Sequence, residues 1–187
     1  MSSTKFIAVL PQPTQIGDKI RISGIVSQNA EQFSINFANE PYEHPQSITY
    51  HFKWDIANKI IIEDYKENGQ WIDYKETYLA EFDGRSKNLI LPTNKANSHS
   101  LSEGFANNSS AINKTDISIN ANSYFLLGPE FDLEFSFQDD GIYVYLVLDD
   151  NRNNLAMFQS KNDYQYIQSI QVWGDVNKIS QLSFTYN

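Results

Sequence analysis

Cysteine is absent from this 187-residue sequence, which excludes disulfides, thiolate catalysis and sulfur-rich zinc sites and leaves burial and hydrogen bonding to hold the fold. The redox compartment stays open. Long apolar runs are missing too. No stretch approaches the roughly 18 apolar residues that suggest a membrane span. The opening MSSTKFIAVL has no charged start, long apolar stretch and small-residue exit of a secretory signal, so a soluble protein is expected. Basic residues are few: 14 Lys and Arg stand against 23 Asp and Glu, a formal charge of −9. Binding to a phosphate backbone depends on basic surface that releases counterions, so neither nucleic acid nor an anionic membrane is an expected partner. The motifs of several enzyme classes are also lacking, with no Gly-rich phosphate loop, Gly-x-Ser-x-Gly elbow or His-Glu-x-x-His helix.

What is present is aromatic and alternating. Apolar residues make up 41% and aromatics 14%, enough to bury a core in one domain spanning residues 1–187. Lys19-Ile20-Arg21-Ile22-Ser23, Phe33-Ser34-Ile35-Asn36-Phe37, Phe131 to Phe137 and Tyr143 to Val147 alternate with period two and are rich in β-branched and aromatic residues. That is the pattern of half-buried strands. Turn signals at Ile16-Gly17-Asp18, Glu67-Asn68-Gly69 and Asp139-Asp140-Gly141 separate them. Only a weak helical candidate, Asp163 to Ile170, interrupts the rhythm. An all-β, two-sheet antiparallel sandwich is expected. An insertion is expected at about residues 80–122; from 93 to 122 it is rich in Ser and holds seven asparagines. Its Asn107, Asn108 and Asn113 sit in glycosylation sequons that matter only on a secretory route.

Four stretches, taken in order, resemble the galectins, the β-sandwich lectins that read β-galactosides. They are PTQIGDKIRISGIVSQNAEQFSINFA (13–38), His51-Phe52 followed by Ile60-Ile61-Ile62 and Trp71, YFLLGPEFDLEFSFQDDGIYVYLV (124–147), and the closing IQSIQVWGDVNKISQLSF (167–184). The resemblance covers nearly the whole chain outside the insertion. It implies a galectin-like, concanavalin-like jelly roll and a non-enzymatic carbohydrate-binding protein without cofactor or metal. Its partners would be glycans or glycoproteins, carrying β-galactosides or a changed sugar. The location it implies is the cytoplasm, the exterior by leaderless secretion, or both. Dimerisation through the terminal strands, common in the family, would make the protein bivalent.

The family carries His-x-Asn-x-Arg on one strand, Asn at the end of the next, and Trp followed by Glu and Arg. Here His51 and Trp71 stand at the His and Trp positions, while Lys53 and Asp55 replace the first strand's Asn and Arg, and Glu63 replaces the second strand's Asn. Three and five residues after the Trp come Tyr74 and Glu76; a one-residue deletion would instead bring Asp73 and Lys75 to those places. Both registers stay open. A galactose unit offers a C–H face to a flat aromatic and a rim of hydroxyls to fixed donors and acceptors. Trading an amide for an ammonium, and a guanidinium for a carboxylate, inverts much of that array. Two readings follow: a lectin with altered specificity, or a galectin fold turned protein-interaction module.

Other assignments compete residue by residue. His51 is as readily a structural histidine as a ligand; Trp71 could pack on its own hairpin, but the resemblance favours a partly exposed platform. Trp54 should face away from His51 and Lys53, and Trp173 should pack in the core or between the sheets. Glu63, Asp64, Glu67, Asp73 and Glu76 could suggest a glycosidase pair or a divalent-metal site, but a solvated acidic face accounts for them better.

Overall fold

The computed structural model describes residues 4–79, 129–149 and 151–187, and the expected insertion lies outside the described residues. The strands are β1 (Thr4–Val9), β2 (Lys19–Val26), β3 (Gln32–Ala38), β4 (Ile48–Asp55), β5 (Ile60–Glu67), β6 (Gln70–Trp71), β7 (Lys75–Tyr78), β8 (Glu130–Phe137), β9 (Ile142–Leu148), β10 (Asn151–Phe158), β11 (Ser169–Gly174) and β12 (Val176–Thr185). One sheet runs β1-β11-β3-β4-β5-β6 with β7 also against β5; the other runs β10-β9-β8-β2-β12. Every described pairing is antiparallel. The expected two-sheet sandwich is what these residues form. The helical expectation at Asp163 to Ile170 is corrected: only a 3-10 turn forms, Tyr164–Tyr166, with Asp163 accepting from the Gln165 N–H at 3.1 Å. Ser169 then starts β11, because Ile170 and Val172 are drawn into the core by strand alternation.

Period two puts one face of each strand between the sheets. Phe33, Ile35 and Phe37 of β3 and Tyr50, Phe52 and Trp54 of β4 meet Phe131, Leu133, Phe135 and Phe137 of β8, all buried. Rings cross the gap directly: Phe33 stacks on Phe131 at 4.8 Å, and Phe37 and Phe52 meet Phe135 edge-on at 4.9 and 5.7 Å. Each such side chain contributes about 1.5–3 kcal/mol by burial, so this aromatic layer fixes which face of β3 and β4 is left pointing outward.

Two glycines set the ends of the functional sheet. At the β5–β6 hairpin, Asn68 and Gly69 take φ of 49° and 81°, the doubly positive turn that matches strand twist; they leave Glu67 opposite Gln70 and Lys66 opposite Trp71. Gly174 has φ of 90°, and a Cβ there would lie 2.7 Å from the Gln32 carbonyl. The next residue, Asp175, accepts from the Glu31 and Gln32 N–H groups at 2.9 and 3.1 Å. The Gly-Asp step of the closing motif thus clamps the β2–β3 connection.

Candidate functional site

Because the aromatic layer claims Tyr50, Phe52 and Trp54, the outer face of β4 carries Thr49, His51, Lys53 and Asp55. Trp54 therefore lies on the opposite side from His51, as alternation predicts. Across the sheet, Asn36 and Asp64 flank His51, and Ser34 and Ile62 flank Lys53. The segment from Asn39 to Ser47 folds over one end of this face. Gln171 donates to the Glu40 and Tyr42 carbonyls at 3.3 and 3.0 Å, Ser169 to the Glu40 carbonyl at 2.8 Å, and Lys66 to the Pro45 carbonyl at 2.7 Å. That wall buries Asn36, Thr49, Ser169 and Gln171 completely.

His51 sits at the foot of the wall, 9% exposed. Its Nδ1 lies 2.5 Å from Asn36 Oδ1, and Asn36 Nδ2 in turn donates to the Gln171 carbonyl at 3.4 Å. With the Asn36 oxygen facing it, Nδ1 carries the proton and Nε2 is left as an acceptor. Burial, reinforced by the Lys53 charge, lowers the imidazole from 6.5 to about 3, so the ring is neutral at physiological pH. Trp71 stands against it, ring centroids 4.6 Å apart and planes inclined by 52°. The indole is still 46% exposed, and Lys66 Nζ lies 5.8 Å from its centroid. Trp71 is therefore an open aromatic face beside a neutral acceptor.

Asp64 holds that face in place. One carboxylate oxygen accepts the N–H groups of Tyr65, Ile72 and Asp73 at 2.7, 3.2 and 2.7 Å, tying β5 to the chain that carries Trp71. By contrast Glu63, expected on the same face, is turned between the sheets and is wholly buried. It accepts from the Tyr50 hydroxyl at 2.7 Å and pairs with Lys75 Nζ at 3.2 Å, without a well-directed hydrogen bond to its second oxygen. Burial raises its carboxyl, and the Lys75 charge and Tyr50 bond offset part of that rise. The reason for the correction is register. Glu63 pairs with Phe52, whose ring is in the core, and Asp64 pairs with His51.

Register also decides between the two alignments after Trp71. Ile62 pairs with Glu76, and Glu63 with Lys75, so Tyr74, Glu76 and Tyr78 share the outer face while Lys75 points inward to Glu63 and the Met157 carbonyl. Asp73 is exposed and lies 3.6 Å from Lys161. At the far end of the face, Tyr74 and Tyr78 both donate to Glu76, Tyr78 at 2.8 Å. These two bonds hold the Glu76 carboxyl below its usual range. Asp55 accepts from the Asn58 N–H at 3.0 Å within the β4–β5 turn. Of the expected residues, His51, Lys53, Asp55, Trp71, Tyr74 and Glu76 are brought to one face; Glu63 and Lys75 are not.

Asn36 and Asp64 were missed as site residues, although a signal for Asp64 exists. The Asn68-Gly69 turn fixes Lys66 opposite Trp71, and counting back by two gives Asp64 and Ile62 on that face. Trp173 is a further correction. Ile170 and Val172 take the core side of β11, which leaves Trp173 half-buried on the outer face, with its Nε1 donating to Gln171 Oε1 at 3.2 Å.

Among solved structures, sheep galectin-11 in complex with glycerol matches with a TM-score of 0.59 at 11% identity, over 96% of each chain. Two variants of human galectin-16, one with a single and one with a double substitution, match with TM-scores of 0.60 at 16% identity, over 97% of this chain and 95% of theirs. At such identities the likeness shows the fold. No curated protein matches the sequence. The family model described as galactoside-binding lectin matches residues 5–184, and with that match over a galectin fold the chain belongs to the galectin family of galactoside-binding lectins.

Proposed function

We propose that this protein is a non-enzymatic lectin that binds a glycan on the outer face of its seven-stranded sheet, with a specificity shifted from that of galactoside readers. The observation that carries the reading is Trp71, an open aromatic ring seated on a neutral His51 that Asn36 orients. Trp71 would cover the C–H face of a sugar ring, His51 Nε2 would accept from a hydroxyl, and Lys53 would donate to another. Asp64 would act through Trp71 by holding its loop. Recognition would be largely preformed. Galactose is not the favoured sugar, because a site built to pair polar groups rejects a ligand that leaves them unpaired at about 1–3 kcal/mol each. The test is a glycan array followed by titration of tryptophan fluorescence. Wild type should respond to at least one saccharide and Trp71→Ala to none, with both variants folded by circular dichroism. A folded wild type that binds no sugar on the array would sink the reading.

A second reading has its own support. Asp55 and Glu76, at the two family arginine positions, are engaged internally by Asn58 and by Tyr74 and Tyr78, so the far end of the face presents few groups seeking a ligand. A protein-interaction module would follow from that, and neither wild type nor Trp71→Ala would then respond to any saccharide.

A further inference from the structure

At one end of the sandwich the β1–β2 connection, the β8–β9 turn and the β10–β11 connection frame an open cleft of about 670 Å³, a volume within the range of small-ligand sites. The cleft has no part in the glycan face, since none of its lining residues lies on the seven-stranded sheet. We propose that it is a second ligand site and takes an aliphatic polyamine, a methylene chain carrying ammonium groups.

Three observations converge. The first is charge. Asp139 and Asp163 line the cleft, and no Lys, Arg or His does. Lys161, although it sits between two lining residues, is turned away to the Asp73 carboxylate at 3.6 Å. Asp139 has no hydrogen-bond or ion-pair partner among the described residues. Asp163 accepts from the Gln165 backbone and side-chain N–H groups at 3.1 and 2.6 Å, and a carboxylate so engaged keeps lone pairs for a further donor. Burial, followed by the charges of Asp140 and Asp139, pushes the phenol of Tyr164, another lining residue, up to about 12, as a region of negative potential does. The second observation is a buried polar group facing the same space. Thr14 is 3% exposed, yet its hydroxyl has no hydrogen-bond partner among the described residues and is not sealed from the cleft. Buried hydroxyls are ordinarily paired, and an ammonium brings three donors from which this one can accept. The third is an apolar strip beside the acids, made by Pro13 and by Ile16, which is 59% exposed. Methylenes can cover that strip while their charged ends reach the carboxylates, as lysine stems do on protein surfaces. A metal ion would leave it bare, and the described residues hold no cluster of three metal-ligating side chains.

The experiment titrates the full chain with spermidine by calorimetry at low salt, beside propylamine, triacetylated spermidine, Mg²⁺ and a short peptide of alternating Lys and Gly. Spermidine should saturate at one per chain, and propylamine and the acetylated compound should bind about tenfold more weakly or not at all, because each lacks the paired charges. Asp139→Asn should weaken spermidine about fivefold, the upper value for an exposed ion pair. Thr14→Val, which keeps the shape of the side chain, should weaken it by about as much. The same variant should unfold at a urea concentration no lower than wild type, because the hydroxyl it removes has no partner to lose. Binding that does not saturate, equal affinity for propylamine or Mg²⁺, or folded variants that bind spermidine as tightly as wild type overturns the proposal, leaving only the general attraction of a chain of charge −9. Tighter binding of the lysine peptide than of spermidine also overturns it, in favour of a protein partner.

Discussion

On β5 the two faces of the sheet each carry an acid, one residue apart. Glu63 lies between the sheets against Tyr50 and Lys75, where burial works against its charge. Asp64 points the other way and gives one oxygen to three backbone N–H groups. The two carboxylates have different tasks. The inner one is a charge tolerated because a lysine reaches it, and the outer one is a clamp on the chain that carries Trp71, the ring on which the proposed glycan would stack. Stability and function are separable along a single strand, and substitutions on either side should show it.

The largest effect is expected from Lys75→Met, which leaves Glu63 buried without its cation. Breaking a buried pair costs about 3–5 kcal/mol, and because the lysine side chain is 38% exposed the cost should fall near about 3 kcal/mol in urea unfolding. The raised carboxyl of Glu63 favours the protonated form in the folded state. The associated stability is present at low pH and lost as pH rises through the folded pKa, so the Lys75→Met penalty should shrink on acidification. Combining it with Glu63→Gln should restore much of the loss. Sugar specificity should not change in any of these variants.

Asp64→Ala should cost about 2 kcal/mol, since three N–H groups lose their acceptor. Unlike the Lys75 variant, it should also abolish the glycan response, and Asp64→Asn, which keeps a carbonyl oxygen, should retain most of both. Equal loss of binding in the Lys75 and Asp64 variants would erase the contrast between the two faces.

The pH response of His51 is smaller. Its imidazole falls from 6.5 to about 3 on folding, so the unfolded chain takes up a proton that the folded one refuses between those values. Stability is full above 6.5 and declines as pH drops below it, by at most about 2 kcal/mol at pH 5 from this group. Because the folded ring stays neutral, glycan affinity should be flat from pH 8 to pH 5, whereas His51→Gln should lose the stability slope. The smallest change in stability, under about 1 kcal/mol, is expected for Trp71→Ala, since that ring is nearly half exposed; its whole effect should fall on sugar binding.

The fold was legible because β3, β8 and β9 alternate cleanly between apolar and polar residues, and their turns carry Gly or Asn. The site was legible only in part. His51 and Trp71 could be placed on one face, but β5 opens with three consecutive isoleucines, and a run apolar on both sides hides which face is which. Since a slip of one residue exchanges the faces, Glu63 took the place that belongs to Asp64. The choice between Tyr74 with Glu76 and Asp73 with Lys75 was undecidable for the same reason; it is fixed by cross-strand pairing with Ile62 and Glu63, a non-local contact. In Ser169-Ile170-Gln171-Val172-Trp173 the alternation is readable, yet a tryptophan beside a Gly-Asp step invites a core assignment. Buried Gln171, which holds its indole from below, is what allows that large ring to stay outside.

The wall at the end of the outer face is anchored mostly through its own main chain: side chains of the sheet reach the carbonyls of Glu40, Tyr42 and Pro45, and the Gly69 N–H reaches that of Gln46. Any residue type supplies a carbonyl. The side chains of Tyr42 and Glu43, both exposed, can therefore be exchanged without loosening the segment, whereas His44, at φ of 60°, occupies a left-handed position that restricts its replacements. Selection can rewrite the rim that a ligand's far end would brush while the frame behind it stays constant. In a chain whose central residues depart from the family pattern, that freedom leaves the rim open to change without cost to the frame behind it.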